Sequence, residues 1–210
     1  MKAIARIGIA LSLVSLATPL AAQSLSFGLR GTGGIPTGSF GEPSNSASAT
    51  LIQGAKEGFG YGAEVGLGFG PIGAYASFDH IKFDCATATC GAGGDYTLQG
   101  VTAGLKLSPS IGSQARPFLK GGITLNDLKG GYGNSSVQLT TDRNPGYEVG
   151  AGVEFGFLGL FAIAPQIRYV GQNLKAKVPG VTNTSTTPNS GVNYFTFDLG
   201  LAVHTPFGGM

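Results

Sequence analysis

Apolar residues alternate with small or polar residues along eight separate segments of this 210-residue chain, and this alternation most constrains the fold. In an extended strand, successive side chains point to opposite faces of the sheet. Between Gly146 and Phe157, one face carries only apolar and aromatic side chains, while the other carries only glycine and glutamate. After the first 22 residues no window keeps a helical spacing, and 37 glycines disfavour helices. The sequence therefore predicts an all-β fold.

The lengths of the connections between the segments predict how the strands are arranged. The predicted strands are residues 24–33, 58–69, 72–83, 97–107, 116–125, 146–157, 160–169 and 193–207. Long polar connections follow every odd-numbered strand, at residues 35–57, 84–95, 127–145 and 172–191, whereas short links follow the second, fourth and sixth strands. An even strand number with alternating long and short connections is typical of an antiparallel up-and-down transmembrane β-barrel.

For the third strand, the sequence does not decide which set of alternate residues forms the apolar face. We place four apolar residues on one face and three others opposite, namely Ile72, Ala74, Ala76 and Phe78 against Tyr75, Ser77 and Asp79. The opposite phase fits the sequence almost as well.

The first 22 residues have the layout of a secretory signal peptide. Lys2 and Arg6 precede an apolar run of 11 residues, Ile7 to Ala17, and cleavage is expected after Ala22. The run is shorter than the roughly 20 apolar residues of a membrane-spanning helix, although a retained anchor is the alternative. The expected domains are thus a signal peptide, 1–22, and a barrel, 23–210. Without the signal, 11 basic residues balance 11 acidic ones, which gives no basic surface for nucleic acid.

Two environments could accommodate the apolar faces of these strands. In a membrane barrel they point outward to lipid, and the glycines and charged residues line the lumen. A soluble exported barrel or sandwich is the alternative, but eight strands leave too little interior space for the large aromatic residues. Those aromatic residues are Phe27, Phe59, Phe69, Phe155, Phe161, Phe195 and Phe197. Packing therefore favours the membrane.

Residues 23 to 207 resemble the small bacterial outer-membrane β-barrel proteins, the group with OmpA-like, OmpX-like and opacity-protein barrels. RPFLKGGITL, residues 116–125, is similar to a fifth-strand element of that group, and Phe207 lies in phase with the lipid face of the last strand. The resemblance implies an outer-membrane protein of a Gram-negative bacterium with periplasmic termini. It also implies that Phe207 acts as the signal for the barrel-assembly machinery, and that lipid and lipopolysaccharide are partners.

Cys85 and Cys90 are the two cysteines of the chain. Export to an oxidising compartment makes a disulfide the expected state. A metal site would need more ligands, and His80 is the one nearby candidate.

Charged residues on the predicted inward faces are expected to pair inside the barrel. From strand phase and distance to the short turns, we expect Arg30 between Glu64 and Asp198. The same argument places Lys120 near Glu154 and Arg168 near Glu148. The tilt of barrel strands can shift each partner by about two residues.

The expected role is structural or interactive, with four surface loops displayed around a largely plugged polar lumen and a possible unknown surface ligand. A narrow porin-like diffusion channel is the alternative. Some barrels of the resembling group act on lipid A through a histidine and a serine, but His80 and His204 are the two histidines here, and no serine follows His80 closely. The sequence predicts no catalysis, no cofactor and no metal.

Overall fold

The β-strands of the chain form one closed antiparallel sheet, seen in a computed structural model that describes residues 23–42, 52–86, 90, 93–109, 115–131, 138–177 and 189–206. Within those residues the strands are β1 (Gln23–Thr37), β2 (Ala55–Phe69), β3 (Ile72–Cys85), β4 (Asp95–Leu107), β5 (Ala115–Gly131), β6 (Gln138–Thr141), β7 (Asn144–Phe157), β8 (Phe161–Lys177) and β9 (Asn189–Pro206). A short 3-10 helix, Gly38–Phe40, follows β1. Among the described residues, no helix has the length and apolar character needed to cross a membrane.

The barrel closes through the pairing of β1 with β9, which runs from Ser24 opposite Pro206 to Thr37 opposite Asn193. Every other barrel strand pairs with the strands before and after it. The predicted eight-stranded antiparallel barrel is therefore confirmed. The signal peptide and Phe207 lie outside the described residues and stay predictions.

Nine strands make an eight-stranded barrel because β6 and β7 together form one strand. Lys129 of β5 lies opposite Thr140, whereas Asn126 lies opposite Asn144, so the partner strand contains one extra residue. This is a β-bulge, which inserts one residue into a ladder without ending the pairing. It leaves Asp142 and Arg143 exposed between the two elements.

The barrel wall is taller at the long-loop end than the sequence predicts. The predicted loop 127–145 contains the end of β5 and all of β6, and the predicted loop 172–191 contains the ends of β8 and β9. The polar and glycine-rich residues there have little strand propensity. They are nevertheless extended because the backbone hydrogen bonds of the neighbouring strands continue past the apolar segments.

The third strand has the predicted phase, and its second half explains why the sequence was ambiguous. Residues 72 to 78 turn their apolar side chains outward, with Tyr75 and Ser77 buried inside. Beyond His80 the pattern inverts, since Ile81 and Phe83 are buried inside the barrel. The charged residues Lys82 and Asp84 then point outward.

The pairing of β7 with β8 is interrupted over two residues near Pro165, without a change of register. The ladder runs to Gly152 opposite Gln166 and resumes at Phe155 opposite Ile163. Proline has no backbone N–H and therefore cannot donate to a ladder. The pairing of β8 with β9 continues through Pro165, so the barrel remains closed.

Candidate functional site

Seven charged side chains meet at mid-height inside the barrel and form what we call the charge cluster. Its members are Arg30, Glu64, Asp79, Lys120, Glu148, Arg168 and Asp198. Glycines on the same inward faces leave the space that these long side chains fill. A Cβ at Gly62 would lie 2.9 Å from Arg30 Nε, and one at Gly150 would lie 2.9 Å from Arg168 Cγ.

Arg168 is the centre of the charge cluster. Its Nε donates to Asp198 Oδ2 at 2.6 Å, and its Nη1 donates to Glu148 Oε2 at 2.8 Å. Its Nη2 donates to Asp79 Oδ1 at 3.1 Å. The planar guanidinium can serve several carboxylates at once because it carries five donors. Arg168 is buried, so all three ion pairs are shielded from solvent.

Arg30 and Lys120 connect the remaining carboxylates. Arg30 Nη2 lies 2.7 Å from Asp79 Oδ2, and Arg30 Nη1 lies 3.2 Å from Glu64 Oε2. Lys120 Nζ lies 2.9 Å from Glu64 Oε2 and 3.6 Å from Glu148 Oε1. The cluster thus forms a continuous ionic network across the lumen.

The structure brings some of the predicted pairs together and not others. It places Arg30 beside Glu64 and Arg168 beside Glu148, as the strand phases suggest. The expected contact between Arg30 and Asp198 is not formed, because Asp198 lies opposite Thr32 in the β1–β9 register. Asp198 instead accepts hydrogen bonds from Arg168.

The expected contact between Lys120 and Glu154 is also corrected. Glu154 lies opposite Arg116, four residues from Lys120 along β5, and therefore sits closer to the short-turn end. Lys106 of β4 pairs with Glu154 instead, with Nζ 2.5 Å from Oε1.

An apolar layer fills the barrel above the charge cluster, at the long-loop end, and we call it the apolar cap. Its buried members include Phe40, Ile52, Ile81, Phe83, Tyr96, Leu98, Leu128, Val170, Leu174, Val192 and Tyr194. Phe83 makes edge-to-face contacts with Phe40 at 5.2 Å and with Tyr194 at 5.4 Å between ring centroids. Two of the members, Phe40 and Ile52, come from the β1–β2 connection, so the described ends of this connection pack into the barrel.

The predicted disulfide is confirmed. Cys85, at the end of β3, is bonded to Cys90, and both cysteines are buried against the apolar cap. The bridge closes the start of the β3–β4 connection over the cap.

Below the charge cluster, the barrel opens at the short-turn end into a cavity of about 50 Å³ that we call the mouth cavity. Lys106, Arg116, Glu154 and His204 line it together with small residues of β1, β2 and β3. His204 Nε2 lies 3.6 Å from Glu154 Oε2.

A family model for the outer membrane protein beta-barrel domain matches residues 8–204 of the chain. The protein belongs to this family. It is therefore a bacterial outer-membrane barrel. No curated protein sequence matches it significantly.

Solved structures of small outer-membrane barrels are similar to this family member in fold. Neisserial surface protein A shares 15% identity at a TM-score of 0.58, over 87% of this chain and 96% of its own. OprG from Pseudomonas aeruginosa shares 13% identity at 0.55, over 88% and 96%. Ail, the attachment invasion locus protein of Yersinia pestis, shares 16% identity at 0.50, over 87% and 97%. At these identities the likeness shows the fold alone.

Membership in the family explains the inversion of the side-chain pattern along β3. Within the bilayer the surroundings are apolar, so apolar residues face outward and charged residues face the lumen. Above the bilayer the surroundings are water, so the ordinary rule returns and apolar residues turn inward. The point of inversion, near His80, marks the boundary of the hydrocarbon on the side of the long connections.

Sequence reasoning missed Asp79, Lys106 and the apolar cap. Asp79 and Lys106 were on the predicted inward faces, but their partners depend on strand offsets that the sequence does not show. The cap had a detectable signal. In β3, β8 and β9, apolar residues change parity toward the long-loop end, as in the change from Phe195 to Tyr194 and Val192.

Proposed function

We propose that this protein is a closed barrel with a structural or surface-interaction role, which holds its four long connections on a rigid extracellular rim. The observation that carries this proposal is the apolar cap. A pore must offer ions a continuous polar path, whereas the described part of the lumen is filled first by the charge cluster and then by buried aromatic and aliphatic side chains. Entry of an ion into the cap would require its desolvation, which is costly.

Conductance measurements test the closed lumen. The refolded protein in a planar lipid bilayer should show no current steps above the membrane leak in concentrated potassium chloride. A large porin added to the same membrane serves as the positive control. Regular steps of one size would contradict the proposal and would favour the alternative, a narrow diffusion channel.

We also propose that the long connections face the cell exterior and that both termini face the periplasm. A protease site inserted into residues 132–137 should be cut on intact cells, because it would lie between the outer ends of β5 and β6. The same site inserted at Gly70–Pro71, between β2 and β3, should be cut only after the outer membrane is permeabilised. The reverse result would invert the topology.

The proposed partners are outer-membrane lipid, lipopolysaccharide and, during biogenesis, the barrel-assembly machinery. Exposed basic side chains such as Lys82 and Arg143 lie at the outer rim, where anionic headgroups are expected. Two similar barrels are named for surface location or attachment, and a surface ligand of this chain is our proposal.

We propose no catalytic role. Nucleophilic catalysis needs a base in hydrogen-bond reach of the nucleophile. His80 stacks on Tyr61 with ring centroids 5.2 Å apart, on the outer side of the barrel. His204 lies opposite Ser26 in the β1–β9 register, but among the described residues no hydrogen bond joins their side chains.

A further inference from the structure

The mouth cavity carries more positive charge than its own ion pairs use. Glu154 Oε1 is paired with Lys106 Nζ at 2.5 Å, and Glu154 Oε2 lies 3.6 Å from His204 Nε2. Arg116 lies opposite Glu154 in the β5–β7 register, yet its guanidinium has no ion-pair partner among the described residues. The cavity therefore combines two permanent cations, Lys106 and Arg116, with two carboxylates, Glu154 and Glu64, that already have cationic partners. Arg116 is the lining cation left without one among the described residues.

Hydroxyl donors and open space accompany this charge. Ser24 and Ser26 line the mouth cavity from β1, and neither hydroxyl has a hydrogen-bond partner within the described ranges. Gly66 and Gly68 of β2 make room for these hydroxyls, since a Cβ at either glycine would lie 2.5 Å from the Oγ atom of Ser26 or Ser24. A volume of about 50 Å³ holds several water molecules or one tetrahedral oxyanion.

The inner part of the mouth cavity borders the charge cluster. Its inner end is lined by Glu64 and Tyr75. Glu64 is bound to Arg30 and Lys120, and Tyr75 donates to Glu148, so both residues are tied to the charge cluster.

We propose that the mouth cavity is a binding site for a phosphate group, held by Arg116, His204 and the hydroxyls of Ser24 and Ser26. Guanidinium and hydroxyl donors match the oxygens of a phosphate, and charge-assisted hydrogen bonds of this kind are about twice as strong as neutral ones. The carboxylate of Glu154, which also lines the cavity, is neutralised by its ion pair with Lys106. This site goes beyond the proposed function, since a barrel without it would still be closed.

Two sources could supply the phosphate group, a soluble periplasmic molecule or the headgroup of an inner-leaflet lipid. The protein is isotopically labelled and placed in nanodiscs of digalactosyldiacylglycerol, a lipid without phosphate, and inorganic phosphate is titrated while the backbone amides of Ser24 and Ser26 are followed by NMR. The chemical shifts of these two amides are expected to change with phosphate concentration and to reach saturation. A second set of nanodiscs contains phosphatidylglycerol, and weaker apparent binding of free phosphate there would identify the lipid headgroup as the competing source.

The variant Arg116→Gln should weaken phosphate binding about tenfold, since it removes the one unpaired charge. Arg116 is exposed, so the variant should fold normally, as heat-modifiable gel migration will show. Arg143→Gln is the matched control, because it removes the same charge from the opposite rim and should leave binding unchanged. The absence of saturable shifts in both nanodiscs, or an equal loss in both variants, would overturn the site and leave the closed barrel unaffected.

Discussion

Replacement of Arg168 with methionine should destabilise the folded barrel by about 3 to 5 kcal/mol, the cost of removing one partner from a buried ion pair. Methionine fills much of the arginine volume but donates no hydrogen bond. The charge cluster contains three cations and four carboxylates, so the substitution raises its excess negative charge from one to two. Asp79, Glu148 and Asp198 each lose a donor at once. Equilibrium unfolding by urea in lipid vesicles, followed by heat-modifiable gel migration, measures the loss.

The control for this experiment is Arg143→Met. Arg143 makes a single ion pair with Asp127, and its side chain is 63% exposed. Exposed pairs contribute about 0 to 1 kcal/mol, so this variant should unfold nearly as the parent does.

A second substitution tests whether the cost is electrostatic. Adding Asp198→Asn to Arg168→Met returns the excess negative charge of the cluster to one, and the double variant should be more stable than Arg168→Met alone. The coupling free energy between the two substitutions, obtained from the double-mutant cycle, should show that they offset each other by more than the experimental error. Equal stability of Arg168→Met and the parent would contradict the prediction and indicate a hydrated lumen in which the charges are screened.

The barrel itself could be predicted because the membrane imposes one rule on every strand. Side chains such as Val149 and Phe155 face lipid, so the period-two pattern survives in the sequence without help from tertiary contacts. The inward direction of Arg30 and Arg168 follows from the same rule.

The pairing of those charges could be predicted only in part. The phase of a strand shows whether a side chain points into the lumen, but it does not show how far along the barrel axis the side chain lies. The side chains of Asp198 and Arg30 both point into the lumen, but the strands are offset so that Asp198 forms an ion pair with Arg168. A similar offset between strands makes Glu154 pair with Lys106 and not with Lys120. Relative strand heights are a property of the closed barrel and are absent from any single strand.

The long-loop end of the barrel escaped prediction for a different reason. Outside the bilayer the surroundings change from lipid to water, and the inside–outside rule reverses within a single strand. Ile81 and Phe83 then appear out of phase with Ala76 and Phe78, which weakens the pattern in the third segment. Polar connections such as residues 127–145 give no sign that the backbone ladder continues through them.

The second substitution expected to cause a large loss of stability is Phe83→Ala, in the apolar cap. The ring of Phe83 is fully buried and lies over two glycines, so that a Cβ at either Gly34 or Gly58 would come within 2.7 Å of it. Truncation leaves a cavity with no neighbouring side chain to fill it, and buried Phe→Ala changes cost about 3 to 5 kcal/mol.

The glycines under the ring allow a size-swap test of this packing. Gly34→Ala alone should destabilise the barrel, because the new methyl group collides with the Phe83 ring 2.7 Å away. In the presence of Phe83→Ala the same methyl group enters the vacated space, so the double variant should be more stable than the sum of the two losses predicts. Phe59→Ala is the matched control, since Phe59 faces outward with 78% of its surface exposed and its loss opens no internal cavity. Urea unfolding in vesicles measures the stability of the parent and the four variants. Strictly additive losses would show that Phe83 does not pack against Gly34 and that the cap is looser than its ring contacts imply.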